Sequence, residues 1–322
     1  MIYAAYNKDL TIRAASSSGG IYYLLASKVL ERNGIVFASA YDGLNVRYFQ
    51  VENIEGLKKT QGSKYIPSHL GDTFRQIKTA LESERSVMFV GVPCQCAGLN
   101  SFLGKKYDNL LVVSIVCHGV PSPKAFFKFC SEKKVTGVNM RDKSKGWLQY
   151  NWKYCSNNQE MVIGHDEVSF MKGFISDLYL RPSCYECHFK NQVGDITLGD
   201  FWGIQIILPE MYDNMGTSIV LTNTEKGQSS FEEIIESIKY KMITGNDYKE
   251  YNGGFSIAKV NPNRERFFAD LDSGVSFETL VNKLTKETVL AKVKRKIKKY
   301  FFYIKNVLQV HGKYYGVTFE NK

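Results

Sequence analysis

Apolar residues recur along the chain in two rhythms. Over 20–32, Ile21, Leu24, Leu25, Val29 and Leu30 fall at helical spacing, and Asn33-Gly34 closes the segment. The apolar runs 35–41 and 46–51 flank a turn at Asp42-Gly43 and predict two strands. A helical pattern over 73–84 (Phe74, Ile77, Leu81) leads to a strand over 86–92. A short helix near 96–103, a strand over 110–116 and a helix over about 123–132 follow. This alternation predicts parallel strands joined by helical crossovers. Beyond Arg141 the pattern is mixed: a hairpin over 148–155 and 160–164, a helix over 166–178, strands over 195–203 and 218–223, and a helix over 231–239. The expected fold class is therefore α/β (α+β mixed). A mixed, partly parallel sheet flanked by helices would form one domain over 1–261, with a basic helical C-terminal extension over 262–322.

Composition supports a folded chain. At 322 residues, 44% hydrophobic and 13% aromatic, it can bury a substantial core. The first residues contain no apolar signal-peptide region, and no apolar run approaches the roughly 18 residues of a membrane span. Seven cysteines, an odd number, favour free thiols or metal ligands over a disulfide framework, and the expected location is cytoplasmic. The net charge is +10, but 280–322 alone holds eleven Lys and Arg against two Glu, which is nine of those ten charges. The charge belongs to one segment rather than to a nucleic-acid-binding face, and no nucleic acid is expected as a partner. Within that segment "LAKVKRKIKKYFFYIKNVL" (290–308) admits three readings: a packed helix with a solvated basic face, attachment to an anionic membrane surface, or docking of an acidic ferredoxin.

Candidate chemistry collects at strand ends. Cys94 follows the run Ser86-Val87-Met88-Phe89-Val90, and Cys117 ends "LLVVSIVC". In a parallel sheet, ligands bind beyond the carboxyl ends of the strands. Helix N-termini there are expected to lower thiol pKa and favour thiolate. Cys184 and Cys187 form a CxxC in "SCYECHFK". The four thiols could hold an iron–sulfur cluster or zinc, or could be unrelated buried thiols. Cys96, Cys130 and Cys155 are expected to be ordinary small apolar residues, and His118 and His188 to hydrogen-bond rather than ligate. A second candidate site is "ASSSGGIYYLL", where Ser17, Ser18, Gly19 and Gly20 precede a helix and could approach a phosphate. Ser63, Lys64 and Tyr65 in "QGSKYIPS" suit a phosphate or a flat ring, "RDKSKGW" (141–147) offers a similar combination of cations and an aromatic, and either loop taken alone reads as a solvated turn. Neither a Walker motif nor a GxGxxG fingerprint occurs.

Taken in order, "SSSGG", "GSKYIPS", "GVPCQCAGL", "CHGVPSP", "RDKSKGW", "SCYECHFK" and "DITLGDFWGI" resemble the beta subunit of coenzyme F-420 hydrogenase/dehydrogenase over roughly 1–225. The resemblance implies FAD and a [4Fe–4S] cluster, with electrons passing between them. It implies that Cys94, Cys117, Cys184 and Cys187 hold the cluster and that Ser17, Ser18, Gly19, Gly20, Ser63, Lys64 and Tyr65 line the flavin pocket, with Asp200 helping to close it. Relatives include proteins encoded among bacterial polysaccharide genes. Three departures stand out: Val92 replaces a usual Thr, Cys96 a usual aliphatic, and the Arg that commonly precedes Asp195 is missing. No cysteine precedes Cys94, so the ferredoxin-like segment of many relatives is absent and an external ferredoxin or other carrier is implied as partner. The expected function is a flavin- and [4Fe–4S]-dependent oxidoreductase linking a ferredoxin-type or deazaflavin carrier to a substrate, in the cytoplasm or peripheral on the inner face of the membrane. The alternative is a non-catalytic zinc-thiolate or scaffold protein aiding surface polysaccharide assembly.

Overall fold

The computed structural model describes residues 1–190 and 193–286. The chain begins with β1 (Ile2–Asn7), α1 (Leu10–Ala15), α2 (Ile21–Glu31), the hairpin β2 (Ile35–Asp42) and β3 (Asn45–Val51), α3 (Ile54–Thr60) and the short β4 (Ser68–His69). Helix and strand then alternate through α4 (Thr73–Glu82), β5 (Val87–Gly91), α5 (Pro93–Leu103), β6 (Leu110–Ile115) and α6 (Pro123–Lys133). Three consecutive strands, β7 (Val135–Asp142), β8 (Asn151–Ser156) and β9 (Gln159–Gly164), lead to α7 (Ser169–Ile175). The chain continues through β10 (Ile196–Asp200), α8 (Ile204–Ile207), β11 (Ser218–Thr222), α9 (Glu225–Glu232), β12 (Ile238–Met242), α10 (Tyr248–Tyr251), α11 (Arg264–Asp270) and α12 (Phe277–Leu284).

The mixed, partly parallel sheet is present, with nine strands in the order β12-β1-β11-β10-β6-β5-β2-β3-β4. Its centre, β10-β6-β5-β2, is parallel, and β11, β1 and β12 extend one side antiparallel. Buried parallel strands need apolar residues on both faces, and β5 supplies them. Met88 joins Val36, Ala38 and Val113 beneath α2, whereas Val87 and Phe89 join Phe37, Ile77 and Leu99 beneath α4 and α5. A separate antiparallel sheet, β7-β8-β9, packs on α6, α7 and α12 through Phe129, Trp152, Tyr154, Phe170 and Phe277. Helices α11 and α12 share this core through Phe267, Leu271, Leu280 and Val281. The segment 290–308 lies outside the described residues. Among the described residues, no helix is long and apolar enough to cross a membrane.

The structure differs from the sequence pattern in several places. Strand β1 was not expected, yet it sits between β11 and β12, because Tyr3, Ala4 and Ala5 are small or amphipathic enough to be buried without forming a strong apolar run. The expected helix over 231–239 is instead the end of α9, a short 3-10 turn and edge strand β12. Phe231, Ile234 and Ile238 are all buried, as a helix would require, but Ile238 reaches the core from a strand. Beyond it Lys239 and Lys241 guard an exposed sheet edge. Helix α5 begins at Pro93 rather than near 96, because proline at the first helical position gives up no intrahelical bond.

Candidate functional site

Strands β5 and β6 are parallel neighbours, so their carboxyl ends bring two of the predicted thiols together. Cys94 is the second residue of α5, and Cys117 lies just past β6. The CxxC arm is fixed to the β6 side by short bonds. Arg181 N–H donates to Val120 O at 2.8 Å, Cys184 N–H to Arg181 O at 2.9 Å, and Val120 N–H to Cys184 Sγ at 3.3 Å. From the far side of Cys187, Lys190 Nζ donates to Cys117 O and, at 3.0 Å, to His118 O. All four cysteines are free thiols.

Their ionisation is mutually coupled. Burial, then Cys184, pushes the Cys94 thiol up, while Arg181 pulls it down and Cys187 again raises it. Burial pushes Cys117 up to about 12, opposed by Lys190, with Cys184, Cys94 and Cys187 raising it further. The expected depression of thiol pKa at helix N-termini is thus reversed here: desolvation disfavours the thiolate more than a helix terminus favours it. Positive charge brought by a metal would invert this balance. Among the described residues, no three His, Cys, Asp or Glu side chains form a group that could hold a single metal ion as they stand. The donor chemistry still suits a thiolate-held group, with four thiols from three segments each within electrostatic reach of others.

The remaining cysteines are separate. Cys96 is buried, with Gly91 O and Val113 O as its acceptors at 3.6 and 3.7 Å, and Cys130 lies in the core beneath β7–β9. Cys155 is exposed, not buried as a small apolar residue, because it occupies an outward position of β8. His118 Nε2 lies 2.7 Å from Asp177 Oδ1 but off the line of a hydrogen bond, and its ring meets Phe174 edge-on at 5.1 Å. His188 is exposed. Beside the CxxC arm opens a groove of about 550 Å³ lined by Pro121, Ser122, Leu180, Arg181, Arg264 and Phe268.

The predicted flavin-pocket residues gather at the turn between α1 and α2. Ser17 and Ser63 meet, with a hydroxyl–hydroxyl separation of 2.8 Å. Ser18 Oγ donates to Thr217 O at 2.9 Å. Gly19 is held by the sheet: its N–H donates to Ser218 Oγ at 3.0 Å and its carbonyl accepts from Asn7 N–H at 2.7 Å. A Cβ on Gly19 would collide with the Ala5 carbonyl and come within 2.9 Å of Ser218 N, so backbone packing already requires this glycine. Gly20, at φ +79°, caps α2 without a side-chain partner for its first N–H groups. Lys64 does not reach into an open pocket. Its ammonium donates to Thr60 O, Gln61 O and Gly62 O at the end of α3, and burial pushes its pKa down to about 7.

Segment 141–147, visible in the sequence as a combination of cations and an aromatic, organises these residues. Segment 141–147 is not a solvated turn. Arg141, at the end of β7, is 1% exposed in its side chain. Its Nη2 donates to Asp200 Oδ1 at 2.8 Å and to Ser17 O at 2.9 Å, and its Nη1 lies 3.4 Å from Tyr65 Oη. The guanidinium covers the Tyr150 ring at 4.1 Å, and its Nε has no partner. Trp147 Nε1 also donates to Asp200 Oδ1, at 2.8 Å, and its ring stacks on Trp202 at 4.7 Å. Lys143 donates to Arg13 O, Ser18 O and Met215 O, and burial, with Arg141 and Arg13 nearby, pushes it down to about 7. The cations and tryptophan of 141–147 are legible in the sequence; that Arg141 ends a strand and reaches Asp200 is not, because β7 carries few apolar residues.

Two bridges place this cluster beside the thiols. Phe174 packs against Tyr65 at 5.6 Å and against His118, the neighbour of Cys117. Asn252 Nδ2 donates to Asp200 O at 2.9 Å, while a Cβ on Gly254 would collide with Val116 and lie 3.5 Å from the Cys117 carbonyl carbon. The cluster of Ser17, Ser63, Arg141 and Asp200 and the four-thiol group are adjacent.

Residues 84–247, from just before β5 to just after β12, match the model of a family described as the C terminus of the coenzyme F420 hydrogenase/dehydrogenase beta subunit. No curated protein matches the chain. Among solved structures, a chain in the xenon-derivatised F420-reducing [NiFe] hydrogenase complex from Methanosarcina barkeri superimposes with a TM-score of 0.54 at 16% sequence identity. That likeness covers 85% of this chain and 93% of that chain, and it shows a shared fold. The family match takes in just over half of the chain, including Cys94, Cys117, Cys184, Cys187 and Asp200, and the chain belongs to the coenzyme F420 hydrogenase/dehydrogenase beta-subunit family.

Proposed function

We propose that this member of a redox-subunit family is a flavin- and [4Fe–4S]-dependent oxidoreductase, passing electrons between a ferredoxin-type or deazaflavin carrier and a substrate. The observation that carries the reading is the convergence of Cys94, Cys117, Cys184 and Cys187 at the ends of β5 and β6, next to the hydrogen-bonded cluster of Ser17, Ser63, Arg141 and Asp200. Four thiols are the donor set of an iron–sulfur cubane. A flavin exchanges hydride for single electrons, and a cluster carries those electrons one at a time. The protein's own part is to bind and orient. The free N–H groups at the start of α2 and the paired hydroxyls of Ser17 and Ser63 suit a phosphate. Arg141 and Trp147, both locked on Asp200, fix the shape of the pocket wall. FAD is the flavin the resemblance implies, and polysaccharide biosynthesis is the setting it suggests.

Anaerobic purification followed by iron, sulfide, zinc and flavin analysis tests this reading. The expected result is a brown protein with about four irons and one flavin per chain. A colourless protein carrying zinc and no iron would overturn it in favour of a zinc-thiolate scaffold.

A further inference from the structure

Lys190 is the one described side chain that ties the far end of the CxxC arm to the end of β6. It follows Cys187 by three residues, and its ammonium caps two consecutive carbonyls, those of Cys117 and His118. Neither carbonyl belongs to a strand, so the Cys117–His118 peptides are oriented by this side chain rather than by the sheet. Arg181, at the other end of the arm, is exposed, and its charge is screened by water and salt. Lys190 is half-buried, so its field is screened less.

We propose that Lys190 is a positioning residue for the thiol-held cluster, locking the Cys184–Cys187 arm to the end of β6 and setting the cluster's reduction potential with a fixed positive charge. This rests on the [4Fe–4S] reading above. Reduction adds one electron to the site, with no bond broken and no leaving group, and a neighbouring cation stabilises the added negative charge. Cluster potentials respond to local charge and hydrogen bonding. At an effective dielectric of about 20 and a separation of roughly 10 Å, one charge shifts the reduced-to-oxidised ratio by roughly tenfold.

The test is a mediated redox titration of the full-length holoprotein, read by cluster absorbance and electron paramagnetic resonance, with iron measured in parallel. Lys190→Gln is expected to move the midpoint negative by about 59 mV, the one-electron equivalent of a tenfold change. Lys190→Arg, which keeps the charge and can reach both carbonyls, is expected to stay at the wild-type midpoint with wild-type iron. A Lys190→Gln protein with full iron and an unchanged midpoint would overturn the inference. Loss of iron from Lys190→Arg as well as Lys190→Gln would assign the residue to folding and overturn it too. Loss of iron from Lys190→Gln alone would support the positioning role. Wild-type protein that reconstitutes no iron would overturn the cluster reading itself, and this inference with it.

Discussion

Asp200 holds two donors on a single oxygen, Arg141 Nη2 and Trp147 Nε1, and the guanidinium it neutralises is almost wholly buried. Removing one partner of a buried ion pair leaves an uncompensated charge, which costs about 3–5 kcal/mol. Asp200→Ala is therefore expected to lower the urea-unfolding free energy by about that amount, and Asp200→Asn by less, since the amide oxygen still accepts a hydrogen bond. This pair also shows where residue-level reading stops. Asp200 was named through the resemblance of its "GDFWG" turn, whereas Arg141 lies across the fold on β7, whose polar residues hide its strand character. Gly19 was read as room for a cofactor, whereas the room is already taken by Ala5 and Ser218. Gly19→Val would therefore damage the sheet and says little about flavin. Ser17→Ala combined with Ser63→Ala is the cleaner probe, expected to weaken flavin binding at least several-fold, by fluorescence titration, while leaving the urea midpoint within experimental error. For the thiols, Cys187→Ala is expected to lose most of the iron and Cys155→Ala, on an exposed β8 position, none of it.

At the scale of elements, the alternation of α2, β2, β5, β6 and α6 was legible because buried parallel strands and their crossovers carry strong, distinct periodicities. The loops that brace the Ser17 turn were not, because their stability comes from two buried ammoniums that cap backbone carbonyls. Lys64 closes the end of α3, and Lys143 joins α1, the Ser18 turn and the approach to β11. These two amines make stability depend on pH. Each has a pKa near 7 when folded, against about 10.4 unfolded, so unfolding takes up protons above pH 7. Stability therefore rises with pH from about 7, by at most about 1.4 kcal/mol per pH unit for each group. The thiols of Cys96, Cys117 and Cys130 act in the opposite sense. Their folded pKa values are pushed up to about 12, so unfolding releases their protons above roughly 8.5, and stability falls from there. In metal-free protein the urea midpoint is expected to peak between about pH 8 and 9, and Lys64→Met to flatten the rise on the acid side. A midpoint that falls steadily from pH 7 to 8.5 would count against the buried amines.

For the whole molecule, charge is distributed very unevenly. Residues 280–322 hold eleven Lys and Arg against two Glu, so the rest of the chain is nearly neutral, although it carries the sheet, the pocket and the thiols. Six of those cations crowd the first half of 290–308, and Phe301, Phe302, Tyr303 and Ile304 crowd the second. Clustered cations beside aromatic and aliphatic residues are the composition that binds anionic bilayers, with each Lys or Arg near the surface contributing about 1 kcal/mol. Six would therefore give binding of several kcal/mol at low salt, weakening steeply as the Debye length shrinks towards 8 Å at physiological ionic strength. Of the three readings, membrane attachment predicts co-sedimentation of the full chain with vesicles containing anionic lipid, little with neutral vesicles, and loss of binding on truncation after Lys286. Added salt should release the protein only partly, because the apolar residues contribute a term that salt does not screen. Binding to neither vesicle would remove the membrane reading and leave two uses for the cations: a solvated face, or an acidic electron-carrier protein. Salt-sensitive reduction of the holoprotein by ferredoxin, lost on the same truncation, would then identify the carrier.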